Sequence, residues 1–459
     1  MNGLRKSPGK LWPRLALVGA AVAATLAVVL VPTLLRRGTD APASAAASPS
    51  AAPTRTDSPS LLPNSSQAPS ASPVTPISAD LLWTETGSFG SGDAFEFASA
   101  VVRSANGFVS VGTHYTQPLD PSGPLPPHEG RIWLSPDGHS WTEVTPPGTF
   151  ADAVMEHVFT TMDGSLIAIG KISNPDLVAG DEFLEPLAAW QSTDGRDWER
   201  IETGLPAEMT VQRLVGGARG YIAALWNYTG GLPQLWLSTD GRRWEQTYAA
   251  GDDEQLTDIG AGDQGFVAVG QRGAGDGPDA FSTFVIASSD GRDWIESSSP
   301  PTDVYRVAPT GPDWIATGLG PGFDSATDSA TDAETPLWFS ANGLNWREVG
   351  NLRLEWWQLD GGGACREFVA ELIGAGGWLL VGTAFSFPCS EGGVVGYGNL
   401  GISVDGASWE ALPFPGFSYI RGGGREDGSI VIAASATDTG LVLVGQSNGR
   451  ATFWFGEPR

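Results

Sequence analysis

Three charged residues occupy equivalent positions in three successive segments of the sequence. Each segment precedes a short apolar run, and alignment on those runs places Arg213, Asp258 and Arg306 at one level. Because alternate residues of a β-strand face the same side, we expect the three side chains to point in one direction. Two guanidinium groups beside a carboxylate could grip an anionic ligand. The alternative is an ion network in which the three groups satisfy one another.

Glu156 and His157 begin another such segment and are weaker candidates for a ligand-binding site. Motifs of established enzyme classes are missing, since the chain has 4 His and contains no His-Glu-x-x-His, no Gly-x-Ser-x-Gly and no phosphate-binding loop followed by a helix. A glycoside hydrolase needs only two carboxylates at a suitable separation, and the many acidic residues offer such pairs. We therefore expect no catalytic residue and no cofactor, with a glycoside hydrolase as the alternative.

A seven-residue box recurs six times, as in Ser192-Thr-Asp-Gly-Arg-Asp-Trp198. Asp-Gly or Asn-Gly between two apolar runs is the strongest short-range signal for a β-hairpin, because Gly accepts a positive φ and the Asx side chain caps its own turn. Each box is therefore predicted to be a hairpin tip. The Asx residues of the six boxes are Asp137, Asp194, Asp240, Asp290, Asn342 and Asp405.

The boxes belong to a longer repeat with seven copies. A short apolar run such as Leu166 to Gly170 precedes every box, and a seventh run, Leu441 to Gly445, has no complete box after it. Instead, residues 452–455 resemble the strand before a box, while Leu82 to Glu85 near the other terminus resemble the strand after one. The sequence predicts an all-β, seven-bladed β-propeller of four-stranded blades, in which the terminal strands share the last blade. Such closure removes free sheet edges.

The boxes resemble the Asp-box repeats of the sialidase superfamily and of related non-enzymatic propellers, including sortilin-like and photosystem-assembly-factor-like groups. The resemblance covers nearly all of 79–459, although the usual motif has one more residue between Ser and Trp. It implies that the box Asx residues are structural turns away from the active face, with metal binding as the alternative. The box tryptophans are expected to be core aromatics rather than sugar-stacking platforms. The Phe/Tyr-Arg-Ile-Pro segment that sialidases use is missing, so the catalytic signature is not found.

The N-terminal region predicts a membrane anchor and a linker. Residues 15–35 carry no charge and would span about 31 Å as a helix, which matches a bilayer core. Basic residues in 1–14 place that tail in the cytoplasm by the positive-inside rule. A secretory signal peptide cleaved near Ala43-Ser44-Ala45 is the alternative, which would make the protein secreted. Residues 36–78, mostly Ala, Pro, Ser and Thr, are predicted to be a disordered stalk before the extracytoplasmic propeller, 79–459.

Cys365 and Cys389, the 2 cysteines of the chain, fall in one repeat of this exported domain. A disulfide is the natural interpretation. Two free buried thiols or a zinc site are the alternatives, although zinc would need more ligands than are evident. The acidic stretch 324–334 has a spacing that matches no EF-hand loop, so we expect a solvated loop there rather than a calcium site. No metal is expected.

Net charge and loop length indicate which kind of partner the protein binds and where it binds. A formal net charge of -26 repels phosphate backbones, so nucleic acid is not an expected partner. If the boxes mark one end of the propeller, the links between second and third strands lie at the opposite end, and their lengths vary most. We therefore expect a non-catalytic recognition or assembly module that uses that end to bind an envelope protein or glycan whose identity the sequence does not give.

Overall fold

The computed structural model describes most of the predicted propeller and none of the preceding region. The described ranges are 80–91, 94–117, 126–173, 185–227, 231–273, 282–302, 304–318, 335–352, 366–386, 396–412, 429–437 and 440–459. The predicted anchor 15–35, the stalk 36–78, the acidic stretch 324–334 and both cysteines lie outside them. Within these ranges every regular element is a β-strand, and they contain no helix of a length and hydropathy that could cross a membrane.

The strands form seven sheets of four strands each, which we number as blades 1 to 7 in chain order of their first strands. Blades 1 to 3 comprise β2 (Phe95–Ser104), β3 (Gly107–Tyr115), β4 (His128–Ser135) and β5 (Thr142–Glu143); β6 (Ala153–Thr160), β7 (Leu166–Ile172), β8 (Leu187–Ser192) and β9 (Glu199–Ile201); and β10 (Thr210–Gly217), β11 (Gly220–Asn227), β12 (Gly231–Ser238) and β13 (Glu245–Ala249).

Blades 4 to 6 comprise β14 (Glu254–Gly262), β15 (Gly265–Arg272), β16 (Ser282–Ser288) and β17 (Ile295–Glu296); β18 (Val304–Thr310), β19 (Asp313–Gly318), β20 (Thr335–Ser340) and β21 (Arg347–Leu352); and β22 (Arg366–Ala375), β23 (Trp378–Ser386), β24 (Gly396–Ser403) and β25 (Glu410–Ala411). Blade 7 comprises β26 (Ser429–Ala436), β27 (Leu441–Ser447), β28 (Arg450–Pro458) and the first strand of the chain, β1 (Leu81–Phe89).

The two termini close the ring as the sequence predicts. Blade 7 has the strand order β1-β28-β27-β26, so the N-terminal strand is its outermost one. β1 and β28 are antiparallel, with Leu82 opposite Glu457 and Thr84 opposite Phe455. The prediction of an all-β, seven-bladed propeller with a shared last blade is therefore confirmed.

The core lies between adjacent blades. Trp133 of blade 1 is fully buried and meets Phe453 of blade 7 edge-on, with ring centroids 5.5 Å apart. Ile167 and Ala168, successive residues of β7, are both fully buried although they face opposite sides of their sheet. Packing on both faces explains why the second strand of each blade is a near-continuous apolar run.

A β-bulge recurs at one point of every innermost strand. In each case one residue is left out of the pairing with the second strand, as Gln212 is between Val211 and Arg213. Bulges bend a strand and re-aim the side chains beside them. The residues that resume the pairing in blades 1 to 7 are Ala100, His157, Arg213, Asp258, Arg306, Glu371 and Ala433. This ring contains the three charged residues that sequence alignment placed at one level, together with His157.

Candidate functional site

Two charged residues of the bulge ring contact each other across a blade boundary. Arg213 of blade 3 donates from Nε to Oδ1 of Asp258 in blade 4 at 2.8 Å. The carboxylate is almost wholly buried, whereas a quarter of the Arg213 side chain stays exposed. Removing such a carboxylate from water is tolerable because a guanidinium and further donors replace the lost hydration.

Two backbone amides complete the environment of Asp258. Oδ1 accepts from the amide of Ile259 at 2.9 Å, and Oδ2 accepts from the amide of Val307 in blade 5 at 3.0 Å. Arg306, also buried, donates from one terminal nitrogen to the carbonyl oxygens of Thr257 at 3.2 Å and Tyr305 at 3.0 Å. These contacts join blades 3, 4 and 5.

His157 extends this line of contacts to blade 2. Its Nε2 lies 3.3 Å from the carbonyl oxygen of Val211, and since a carbonyl only accepts, Nε2 carries the hydrogen. Burial, reinforced by the positive charges of Arg213 and Lys171, lowers the pKa of His157 to about 4 despite that hydrogen bond. The ring is therefore neutral near pH 7 and is no source of positive charge for an anionic ligand.

Glu156 leads to a buried polar cluster that sequence analysis did not find. Its Oε1 lies 4.0 Å from Nζ of Lys171, and both side chains are largely buried. Its Oε2 is buried without a hydrogen-bond partner in the described structure. Burial raises the pKa of Glu156; Lys171 opposes this rise and the charge of Glu185 adds to it. Lys171 could have been suspected from sequence, because it is the charged residue of the otherwise apolar β7.

The same cluster contains a serine between a histidine and a carboxylate. Ser173 donates from Oγ to Oε1 of Glu185 at 2.8 Å, and Nε2 of His128 lies 2.8 Å from that Oγ. Nδ1 of His128 lies 3.0 Å from the carbonyl oxygen of Pro126. In a catalytic triad the acid orients the histidine, and the histidine takes the proton of the serine. Here the carboxylate contacts the serine hydroxyl and not the histidine, so the arrangement differs from that of a catalytic triad.

Tyr115 closes the cluster from blade 1. Burial, followed by the charges of Glu185 and Glu156, raises the pKa of its phenol. Tyr115 ends β3 and His128 begins β4, while Ser173 and Glu185 flank the corresponding link in blade 2. The cluster therefore lies at the end of the propeller that carries the links between second and third strands.

The box turns are held by short local hydrogen bonds. In the second box, Oδ1 of Asp194 accepts from the amides of Arg196 at 2.8 Å and Asp197 at 2.9 Å. The hydroxyl of Ser192 donates to the same carboxylate at 3.1 Å and accepts from the amide of Gly195 at 2.8 Å. Gly195 has a φ of 78°, which favours glycine.

These contacts engage one oxygen, Oδ1, of each box carboxylate. Backbone donation from Asp197 and Arg196 lowers the pKa of Asp194, and donation from Arg292 and Asp293 lowers that of Asp290. Equivalent turns form at Asp137, Asp240, Asn342 and Asp405. Across the described ranges, no three carboxylate, imidazole or thiol groups are arranged to hold a metal ion.

Comparison with known proteins places the likeness at the level of fold. No family model matches the chain, and no curated protein sequence does. The β-propeller domain of the Trilobed protease from Pyrococcus furiosus is 11% identical with a TM-score of 0.44, over 79% of this chain and 95% of that chain. YCF48 bound to D1 peptide is 13% identical with a TM-score of 0.42, over 84% and 97% of the two chains. The Hadza microbial sialidase Hz136 is 16% identical with a TM-score of 0.40, over 73% and 74%.

Proposed function

We propose that this protein is a non-catalytic recognition or assembly propeller that presents the end opposite the box turns to an envelope protein or glycan. The segment 15–35 anchors it in the membrane, and the stalk 36–78 gives the propeller reach. This role needs no cofactor and no nucleic acid. The name loop end is used below for the end of the propeller that carries the links between second and third strands.

The contrast between the two ends supports the proposal most directly. At the box end, the link between third and fourth strands is six residues long in each of blades 1 to 6. At the loop end, the link between second and third strands ranges from two residues in blade 7, 448–449, to sixteen residues in blade 5, 319–334. Length variation confined to one face of a repeat fold is the usual basis of a binding surface.

The chemistry of the bulge ring also favours recognition over catalysis. Asp258 accepts from a guanidinium and two backbone amides and is almost wholly buried, so it is poorly placed to act as a general base. His157 is neutral and donates to a backbone carbonyl. These groups stabilise the ring of blades rather than prepare a reaction.

In-cell photo-crosslinking at the two ends tests the proposal. A benzophenone amino acid replaces Gln117, exposed at the loop end, or Asp197, exposed in a box turn, as the matched control. We expect one discrete crosslinked envelope species from position 117 and none from position 197. Crosslinking to the same species from position 197 alone would place the binding surface at the box end and would contradict the proposal.

One observation favours a surface glycoside hydrolase as the second candidate. The raised pKa of Glu156, with Glu185 nearby, is a property expected of a general acid. Hydrolysis of a panel of fluorogenic glycosides, including sialosides, tests this function with Glu156→Gln and Arg213→Glu as variants. Turnover by the wild type that either substitution abolishes would establish an enzyme and overturn the non-catalytic proposal.

A further inference from the structure

A cleft opens on the lateral surface between the outer strands of blades 3 and 4. Its volume is about 360 Å³, within the range of small-ligand pockets. Its walls come from β13 of blade 3, from all four strands of blade 4 and from the fourth box. The lining residues are Thr247, Tyr248, Glu254, Arg272, Ile286, Arg292, Asp293, Trp294 and Glu296.

The tryptophan of this cleft departs from the pattern shared by four of the other five boxes. In four boxes the indole nitrogen donates to the carbonyl oxygen of the glycine of the same box, at 2.9 to 3.2 Å; these are the boxes of Trp141, Trp198, Trp346 and Trp409. Trp294 instead donates across the blade boundary to Oγ1 of Thr247 at 3.3 Å. Its ring is half-buried and lines the cleft.

A second aromatic ring is fixed beside it. Tyr248 donates from its hydroxyl to Oε2 of Glu254 at 2.7 Å. The rings of Tyr248 and Trp294 meet edge to face, with centroids 6.5 Å apart. Since the polar tip of each ring is already bound, both rings are positioned before any ligand arrives. Groups that are ordered in advance lose little conformational entropy on binding.

Charged side chains of the cleft compensate one another. Arg272 donates from Nε to Oε1 of Glu254 at 3.0 Å and from a terminal nitrogen to Glu296 at 2.9 Å. Its guanidinium lies 5.1 Å from the centre of the Phe284 ring. Arg292 pairs with Glu245 of blade 3. Both positive charges are therefore engaged, so the cleft offers no free cation to an anionic ligand.

Two of the three lining carboxylates are engaged in the same way, and the third, Asp293, is exposed. Glu254 accepts from Tyr248, Arg272 and the amide of Gly251, and Glu296 accepts from Arg272. A cationic ligand would have to displace Arg272 from Glu254 and Glu296, or else pair with the exposed Asp293 alone. What remains is a set of rigid planar polar groups around two aromatic rings, over an apolar floor formed by the buried Ile286.

We propose that this cleft binds a neutral saccharide. A pyranose presents an apolar face of C–H groups, which packs on Trp294, and a rim of hydroxyl groups, which hydrogen-bond in pairs to fixed guanidinium and carboxylate groups. The volume accommodates one or two sugar units. This site goes beyond the proposed function, because it would add a carbohydrate contact on the flank of the propeller.

Isothermal titration calorimetry of the full-length chain tests the proposal. The probes are neutral trisaccharides, namely cellotriose, maltotriose, mannotriose, xylotriose and triacetylchitotriose, with sialyllactose as the anionic comparison and trilysine as the cationic one. We expect at least one neutral trisaccharide to bind with a Kd of about 1 mM or tighter. Trp294→Ala should weaken that binding by about tenfold or more, and Trp294→Phe by less.

The matched control is Trp346→Ala. Trp346 holds the same box position, is also half-buried, and donates to its own box glycine. Its removal should leave saccharide affinity unchanged, so a general effect of box destabilisation is separated from loss of the ring. The proposal is overturned if no neutral trisaccharide binds, if Trp294→Ala and Trp294→Phe leave affinity unchanged, or if trilysine or sialyllactose binds in their place. Crosslinking from position 117 is unaffected by any of these results, so the two proposals fail separately.

Discussion

The box turns and the bulge ring both hold a carboxylate by hydrogen bonds, but the donors come from different parts of the chain. Asp194 is bound by amides two and three residues further along its own turn. Asp258 is bound by Arg213, 45 residues away in one neighbouring blade, and by Val307, 49 residues away in the other. The first arrangement shapes a hairpin, and the second fixes blades to one another.

This difference indicates how strongly the loss of each site affects the stability of the whole molecule. A box turn is exposed and is one of several copies, so its loss destabilises a single hairpin. The Asp258 network is buried and joins three blades, so its loss leaves a guanidinium and two amides without this acceptor. Four predictions sharpen this comparison.

Asp258→Ala should have the largest effect. Removal of the carboxylate leaves Arg213 without this partner and orphans the Val307 amide in a buried site, which costs about 3–5 kcal/mol of the free energy of unfolding. Urea denaturation followed by tryptophan fluorescence measures it. Asp263→Ala, in the exposed turn between β14 and β15, is the control and should change stability by less than about 0.5 kcal/mol. Equal losses in the two variants would contradict the role given to the network.

Asp194→Ala should have a moderate effect. The turn loses its acceptor for two amides, but both are exposed and gain water instead, so we expect a cost of about 1–2 kcal/mol. Asp197→Ala in the same turn, which removes an exposed side chain and keeps both amides, is the control. Thermal unfolding measures both. A loss for Asp194→Ala as large as that of Asp258→Ala would remove the distinction between local and interblade carboxylates.

Glu156→Gln should change the pH dependence of stability. Burial raises the pKa of Glu156 in the folded protein, so the native state binds more protons than the unfolded state above the ordinary carboxyl value. Its contribution therefore disfavours folding as pH rises from the unfolded pKa through the raised folded pKa. The variant should show a flatter curve of unfolding free energy against pH on the neutral side. An unchanged curve would mean that Glu156 titrates normally.

Asn342→Asp should have the smallest effect at pH 7. The amide oxygen of Asn342 accepts from Leu344 at 3.0 Å and Asn345 at 2.9 Å, so this turn needs an acceptor rather than a charge. We expect a change within about 0.5 kcal/mol. An introduced carboxylate with a lowered pKa, like Asp194, would add stability above its unfolded pKa that is lost as pH falls through the folded pKa. Stability measured at pH 3 and pH 7 checks this, and a large gain at pH 7 would contradict it.

More of the fold than of the candidate site could be predicted from the sequence. The split blade followed from Leu82 to Glu85 and 452–455, because strand patterns repeat with the blade. The shared level of Arg213, Asp258 and Arg306 also followed from alignment on the adjacent strand. That Arg306 turns to backbone carbonyls while Arg213 takes the carboxylate did not follow, because rotamers and partners are set by neighbouring blades.

The sequence by itself determined what is local: the number of blades, the hairpin tips at the boxes and the strand that closes the ring. Each of these features is predicted by a short sequence pattern that recurs along the chain, so one copy of the pattern helps to identify another. Tertiary structure alone decided the buried cluster of Glu156, Lys171 and Glu185 and the cleft at Trp294. Those sites bring together residues from different strands or adjacent blades, and their burial and charge compensation exist only once the strands pack.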